Sequence, residues 1–224
     1  MTTLLKKSFG TNVLASGRSV LAIGVFCVAT SYCAGPLASP KRPQAVAPAA
    51  KEISVTLDPA KTTVHWTLPT TLHTVHGTFV LKHGQLQLDP ATGKAAGEII
   101  VDATSGKSGN DSRDSKMHHD VLESGKYNDI VFRPESFSGA ILPSGNSTIT
   151  LKGTFSLHGA DHAMTLPVQV TFSESGWTGT SSFSVPFLQW GLKNPSTFLL
   201  KVKPDVQIEF ESGGSLQPTG TAHP

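Results

Sequence analysis

Hydrophobic and polar positions alternate along most of this chain. Across residues 148–158, Ile149, Leu151, Phe155 and Leu157 alternate with Thr148, Thr150, Lys152, Thr154, Ser156 and His158. Across 163–172, Met164, Leu166, Val168, Val170 and Phe172 do the same against Thr165, Gln169 and Thr171. Successive side chains of a strand point to opposite faces, so each run describes a sheet with one apolar and one wet face. Antiparallel sheets tolerate that asymmetry, and closing such a sheet on itself removes its edges. The pattern therefore predicts an all-β chain forming an extended antiparallel barrel. Strands are expected at 53–57, 63–68, 75–81, 85–88, 97–103, 130–137, 148–158, 163–172, 177–187 and 198–210. The turn signal Asp58-Pro59-Ala60-Lys61 separates the first two. The last is interrupted at Lys203-Pro204-Asp205, because proline cannot donate to a ladder. Some neighbouring runs read equally well as one bent strand, which brings the count to about eight, a common barrel size.

One stretch breaks the alternation. Residues 110–132, NDSRDSKMHHDVLESGKYNDIVF, begin with a helical pattern. Met117, Val121 and Leu122 recur at helical spacing, with Arg113, Lys116, Asp120 and Glu123 elsewhere around the wheel. Asp111 and Asp114 near the start and Gly125 past the end suit helix caps. The prediction is one short helix inserted between strands, packed on the barrel along one side. The adjacent charges of Arg113 and Asp114 are expected to fix the strand–helix junction.

The ends of the chain have a different character. Residues 1–34 read as a signal peptide or N-terminal anchor: Lys6, Lys7 and Arg18 precede an apolar run at 20–29 that ends among small residues. Residues 35–50 form a Pro/Ala-rich linker, 51–212 the barrel domain, and 213–224 a polar, turn-rich tail expected to be disordered. The expected location is periplasmic or secreted. The N-terminus is the expected route to membrane contact. Cys33 admits a lipoprotein reading, which the absence of a small residue just before it disfavours. Cys27 and Cys33 are the only cysteines, so the domain itself has no thiol catalysis, disulfide or cysteine metal site.

Composition narrows the function classes. A balance of 18 basic and 16 acidic residues, with no basic cluster in the domain, excludes an electrostatic footprint for nucleic acid. The nine histidines do not assemble a metal site by spacing: His118 and His119 diverge on a helix, and His73 and His76 face opposite sides of a strand. No G-x-S-x-G elbow marks a nucleophile. Asp102, Asp111, Asp114 and Glu123 cluster in sequence, but caps and structural ion pairs explain them more simply than paired catalytic carboxylates. No catalytic residue, metal or cofactor is expected. Trp66, Leu68, Phe79, Leu81, Leu151, Phe155, Leu166, Val168, Val170 and Phe183 share the apolar face. Alternation alone leaves open whether they line a ligand cavity or fill a packed core.

Several short motifs, in order, resemble the YceI-like family of lipid- and polyisoprenoid-binding proteins. They are Asp58-Pro59-Ala60; Val75-His76-Gly77-Thr78-Phe79, similar to V-x-G-x-F; Arg113-Asp114 leading into a helix; the segment 127–132, similar to K-Y-P-x-I-x-F; Gly153-Thr154-Phe155-Ser156-Leu157-His158-Gly159; and Met164-Thr165-Leu166-Pro167-Val168. Asn128 stands where the family commonly has Pro, and residues 187–196 depart from the common arrangement near the C-terminus. The resemblance implies a lipocalin-like barrel whose elongated apolar cavity holds an isoprenoid chain, such as a quinone or polyprenyl precursor. The ten same-face residues are then the expected lining, and Arg113 a headgroup contact at the mouth. Two other classes stay in view: a filled barrel acting through its outer surface, and a hydrolase of lipid-linked substrates.

Overall fold

The computed structural model describes residues 52–217. Its strands are β1 (Ile53–Leu57), β2 (Thr63–Pro69), β3 (Thr74–Asp89), β4 (Lys94–Lys107), β5 (Asp129–Ser138), β6 (Gly145–Leu157), β7 (Ala160–Ser173), β8 (Gly176–Val185) and β9 (Val206–Gln217). A helix, α1 (Asp111–Lys116), stands between β4 and β5 and continues as a π turn over Met117–Val121. Every ladder is antiparallel, in the order β3-β2-β9-β8-β7-β6-β5-β4, and the β3–β4 pairing closes the ring at eight strands. β1 shares a seam with β2, both lying between β3 and β9. Val64 to Pro69 pair with the first part of β3, and Ile53 to Thr56 pair with its second part. The Pro59–Lys61 turn separates them, capped by the Asp58 carboxylate, which accepts the Ala60 N–H at 2.9 Å. Pro59 suits the first position of such a turn, where no N–H is needed.

Three sequence expectations are corrected. The runs at 75–81 and 85–88 are one 16-residue strand, with register shifts between Thr78 and Val80 and between Leu81 and His83. Such bulges bend a strand around a barrel, and the polar break in the pattern is the bend. Residues 198–203 are not strand. β8 ends at Val185, and the connection to β9 is irregular apart from a single bridge between Val202 and Thr70. β9 also extends to Gln217, past the boundary drawn at 212, with Gly213 and Gly214 paired to Thr178 and Trp177 and Gly214 also paired to Leu57. At Gly214 a Cβ would overlap the Thr56 carbonyl, so a composition that reads as a turn marks a close strand approach. Residues 1–51 and 218–224, and with them the export segment, the linker and both cysteines, lie outside the described residues.

On the outer face the Lys82 ammonium lies 2.6 Å from Asp129 and 3.6 Å from Asp102. Burial pushes the Asp102 carboxyl up, but the Thr104 hydroxyl and N–H, together with Lys82, outweigh it and hold the group below the ordinary carboxylate range. A depressed carboxylate contributes stability that is complete above its unfolded pKa and is lost as pH falls through the folded one. Asp102→Asn is therefore expected to lower stability at neutral pH and to flatten the acid limb below the ordinary carboxylate range. Urea midpoints measured against pH check this.

Candidate functional site

The site is at the barrel end where β4 hands over to the helix. Asn110 caps α1 by accepting the Arg113 N–H at 3.0 Å, so the cap is Asn110 and not Asp111 or Asp114. The acidic pair member instead clamps the junction: Asp114 accepts both the N–H and the hydroxyl of Ser108. Arg113 reaches the same residue, donating from Nε to Ser108 Oγ at 2.7 Å and from Nη2 to Ser108 O at 2.9 Å. At the other end Glu123 takes the left-handed conformation (φ 44°), in place of the Gly125 expected there. Across the π turn, His118 Nε2 donates to the buried Gly106 carbonyl at 2.9 Å, while Nδ1 meets the buried Ser124 hydroxyl at 2.9 Å. A carbonyl only accepts, which fixes the Nε2–H tautomer in the neutral ring. His118→Ala leaves both partners buried and unsatisfied and is expected to cost about 2 kcal/mol in urea unfolding. A His118→Gln variant, able to restore one bond, should recover part of that loss.

The connection 186–205 covers the opposite side of this end. Pro167 on β7 has no N–H to offer β8, and its carbonyl instead accepts from Ser181 Oγ at 2.7 Å. The β7–β8 ladder stops at Gln169–Thr180. Beyond that point Trp190 of the connection stacks on His162 of β7, with ring centroids 3.9 Å apart and planes 2° apart. Trp190 also contacts Phe155, which meets Phe183 edge-on. Lys116 donates to Pro195 O at 3.3 Å, and Lys193 pairs with Asp120 at 3.4 Å, joining helix and connection.

Between these elements the barrel is hollow. An outer chamber of about 420 Å³ lies under the helix and the connection, and an inner chamber of about 140 Å³ extends toward the β1 end. Phe79, Ile130, Phe155 and Ile208, from four different strands, line both and form a waist. The outer volume falls in the range of ligand pockets. The inner one matches an apolar cavity that stays dry and holds benzene. The lumen stays open because interior glycines seat large rings against the wall. Trp66 lies where a Gly77 Cβ would be, Phe79 where a Gly106 Cβ would be, and Trp177 against Gly179 and Gly214. Polar groups gather at the outer rim: Thr70, His73, Asn110, Ser112, Arg113, Lys116 and Thr197.

Eight of the ten residues expected to face a cavity do so. Trp66 and Leu68 line the outer chamber, Leu151, Leu166, Val168 and Phe183 the inner one, and Phe79 and Phe155 both. Leu81 and Val170 are buried in the packed core and line neither chamber. Arg113 stands on the outer rim. The expected lining left out Phe187, Leu192, Leu200 and Val202, which stand on the connection between β8 and β9. The sequence reading also placed Met117, Val121 and Leu122 on the packed side of the helix without seeing that this side roofs a chamber. The acidic residues near the helix are engaged structurally: Asp102 with Thr104 and Lys82, Asp114 with Ser108, and Glu123 at 3.6 Å from His158. No cluster of three His, Cys, Asp or Glu side chains placed for a metal ion occurs among the described residues.

Residues 55–212 match a family model described as the YceI-like domain. Two solved structures share the fold. BcnA of Burkholderia cenocepacia is 17% identical with a TM-score of 0.58, over 71% of this chain and 99% of that one. A polyisoprenoid binding domain from Saccharophagus degradans is 14% identical with a TM-score of 0.56, over 74% of this chain and 99% of that one. Among curated proteins, none matches the sequence.

Proposed function

The chain belongs to the YceI-like domain family, and on that premise we propose that it is an exported carrier that sequesters a long-chain amphiphile, a polyisoprenoid such as a quinone or a polyprenyl precursor, without chemistry of its own. The observation that carries this reading is the shape of the lumen, two apolar chambers joined at a waist, the outer one carrying polar groups at its rim. That shape suits a chain with one polar end. The fold shared with a domain named for polyisoprenoid binding supports the same ligand class. A filled barrel acting through its outer surface has this hollow interior against it.

Burial supplies the affinity. Ten chain carbons taken out of water gain about 8 kcal/mol at roughly 0.8 kcal/mol each. Micromolar binding requires about the same amount, and ordering costs are then met by the carbons beyond ten. No charged anchor is required for retention, so the rim selects the headgroup and the lumen holds the chain.

The test is native mass spectrometry with organic extraction of the full chain, expressed with its own N-terminus in a bacterium that makes polyprenyl lipids. The expected result is a stoichiometric adduct whose mass is that of an isoprenoid. A protein free of lipid that takes up neither quinone nor polyprenyl phosphate would overturn the proposal. Arg113, which lines the outer chamber, is the proposed headgroup contact. Arg113→Ala is expected to weaken binding of a polyprenyl phosphate about tenfold or more, the size of a lost charge-assisted hydrogen bond. Binding of the uncharged polyprenol should hold. Equal loss for both ligands would make Arg113 a strut of the junction alone.

A further inference from the structure

The rim of the outer chamber carries two tight tips built the same way. In one, Thr70 and His73 close on each other: the Thr70 N–H donates to His73 O at 3.1 Å, and the His73 N–H donates to Thr70 Oγ1 at 3.2 Å. In the other, the Thr197 N–H donates to Leu200 O at 2.8 Å, and the Leu200 N–H donates to Thr197 Oγ1 at 3.2 Å. The two are joined into one platform. The Thr71 N–H donates to Lys201 O at 2.9 Å, the Lys201 N–H donates to Thr71 Oγ1 at 3.2 Å, and Thr70 bridges Val202. The residues held out at the two tips are large and apolar. Leu72 is 69% exposed, Phe198 92% and Leu199 77%.

Holding three such side chains in water on a rigid frame is unfavourable unless something covers them. The flanking charges indicate what does. Lys193, Lys201 and Lys203 lie in residues 191–205 against the single carboxylate Asp205, and the other tip, residues 69–77, has none. Nearby Asp120 is already paired with Lys193. An aromatic and two leucines on two adjacent tips, with Lys201 and Lys203 following one of them, match the interfacial layer of a bilayer with anionic headgroups. Their neighbours Thr70, Thr197 and Leu200 line the outer chamber, so a membrane seated on the tips would lie at its mouth.

We propose that these tips are a membrane-docking surface, inserting Phe198, Leu199 and Leu72 into an anionic lipid leaflet so that the chain of a bound amphiphile passes between bilayer and lumen without crossing water. The choice of a bilayer over a protein partner rests on the carrier reading above. The contact is separate from any attachment through the N-terminus.

The experiment is flotation of the full chain with phosphatidylcholine vesicles, with and without phosphatidylglycerol, for the native protein and a Phe198→Asp/Leu199→Asp double variant. Because both side chains are exposed, the double variant should keep the native circular dichroism and melting. Its partition onto anionic vesicles is expected to fall at least about tenfold, or about 1.4 kcal/mol of lost insertion. A Lys201→Glu/Lys203→Glu variant should lose binding only to anionic vesicles. A Phe198→Trp variant should show a blue-shifted emission increment on vesicle addition. Partition of the aspartate variant equal to the native chain overturns the proposal, as does a native chain that binds neither vesicle. Self-association through Phe198 without vesicle binding overturns it too and makes the tips a contact between copies. Lipid extracted from the same samples reports on the carrier separately: a loaded lumen with unchanged flotation removes the docking surface alone, and an empty lumen removes the carrier reading.

Discussion

Ile208→Trp is expected to reduce retention of a long-chain amphiphile about a thousandfold while leaving the fold intact. Ile208 sits on β9 between Trp66 of β2 and Phe183 of β8, and it is one of four residues that line both chambers. An indole there occupies the waist. The outer chamber would still admit a chain, but the inner 140 Å³ would be closed to it. A space of that size accommodates about six carbons by comparison with a benzene-sized cavity. At roughly 0.8 kcal/mol per carbon their exclusion costs about 5 kcal/mol, or about three powers of ten in Kd. Stability should not fall with it, since the new ring is directed at the void of the waist, and filling a void is commonly neutral or stabilising. Native mass spectrometry after titration with a polyprenol checks the first half and thermal melting the second. Undiminished occupancy by the same lipid would show that the chain ends above the waist and that the outer chamber alone is the site.

How much of this was legible in the sequence divides by element. The regular strands were, because a half-buried strand must alternate, and the alternation of β6 and β7 names the inward residues directly. Eight of the ten inward residues expected to face a cavity do so. Leu81 and Val170 failed for a reason alternation cannot supply: it distinguishes in from out, and both are in, but lining a void depends on what stands opposite. Residues 198–203 failed because Leu200 and Val202 alternate with Lys201 and Lys203 as in a strand, although the segment forms only a single bridge at Val202. There Phe198 and Leu199 face water at a turn, while Leu200 and Val202 face the outer chamber. Gly213-Gly214 failed because glycines that permit two backbones to approach have the same letters as glycines in a disordered tail. The hollow interior was not legible in the alternation, and only the family resemblance implied it. It depends on rings lying in glycine notches, and that pairing joins residues of different strands, Trp66 with Gly77 and Phe79 with Gly106.

Gly77→Ala tests that last point and is expected to be strongly destabilising. Gly77 pairs with Trp66 across the β2–β3 ladder and occupies the middle of the Val75-x-Gly77-x-Phe79 motif. Val75 and Phe79 on either side line the outer chamber, so the motif places two apolar walls with a gap between them. Into that gap lies the Trp66 indole, and a Cβ would overlap both its Cε2–Cζ2 edge and the Lys107 carbonyl of the adjoining strand. The indole is a side chain and can move into the lumen; the carbonyl is backbone and cannot. Overpacking of the first kind costs typically 1 to 3 kcal/mol, and displacing a strand adds to it, so a loss of about 3 kcal/mol or more is expected. For a domain of this size that lowers Tm by roughly 6 to 12 °C. Gly125→Ala is the control, since nothing lies near its Cβ position, and it should leave Tm unchanged within about a degree or raise it slightly. Trp66→Phe in the Gly77→Ala background should recover part of the loss by withdrawing the indole edge, and the remainder is the strand's share in a double-mutant cycle. The same displacement carries a functional consequence, because an indole pushed out of its notch enters the outer chamber. Gly77→Ala protein that still folds should therefore retain less lipid than the native chain. An alanine tolerated without change in either Tm or lipid content would mean that the notch does not hold the lumen open.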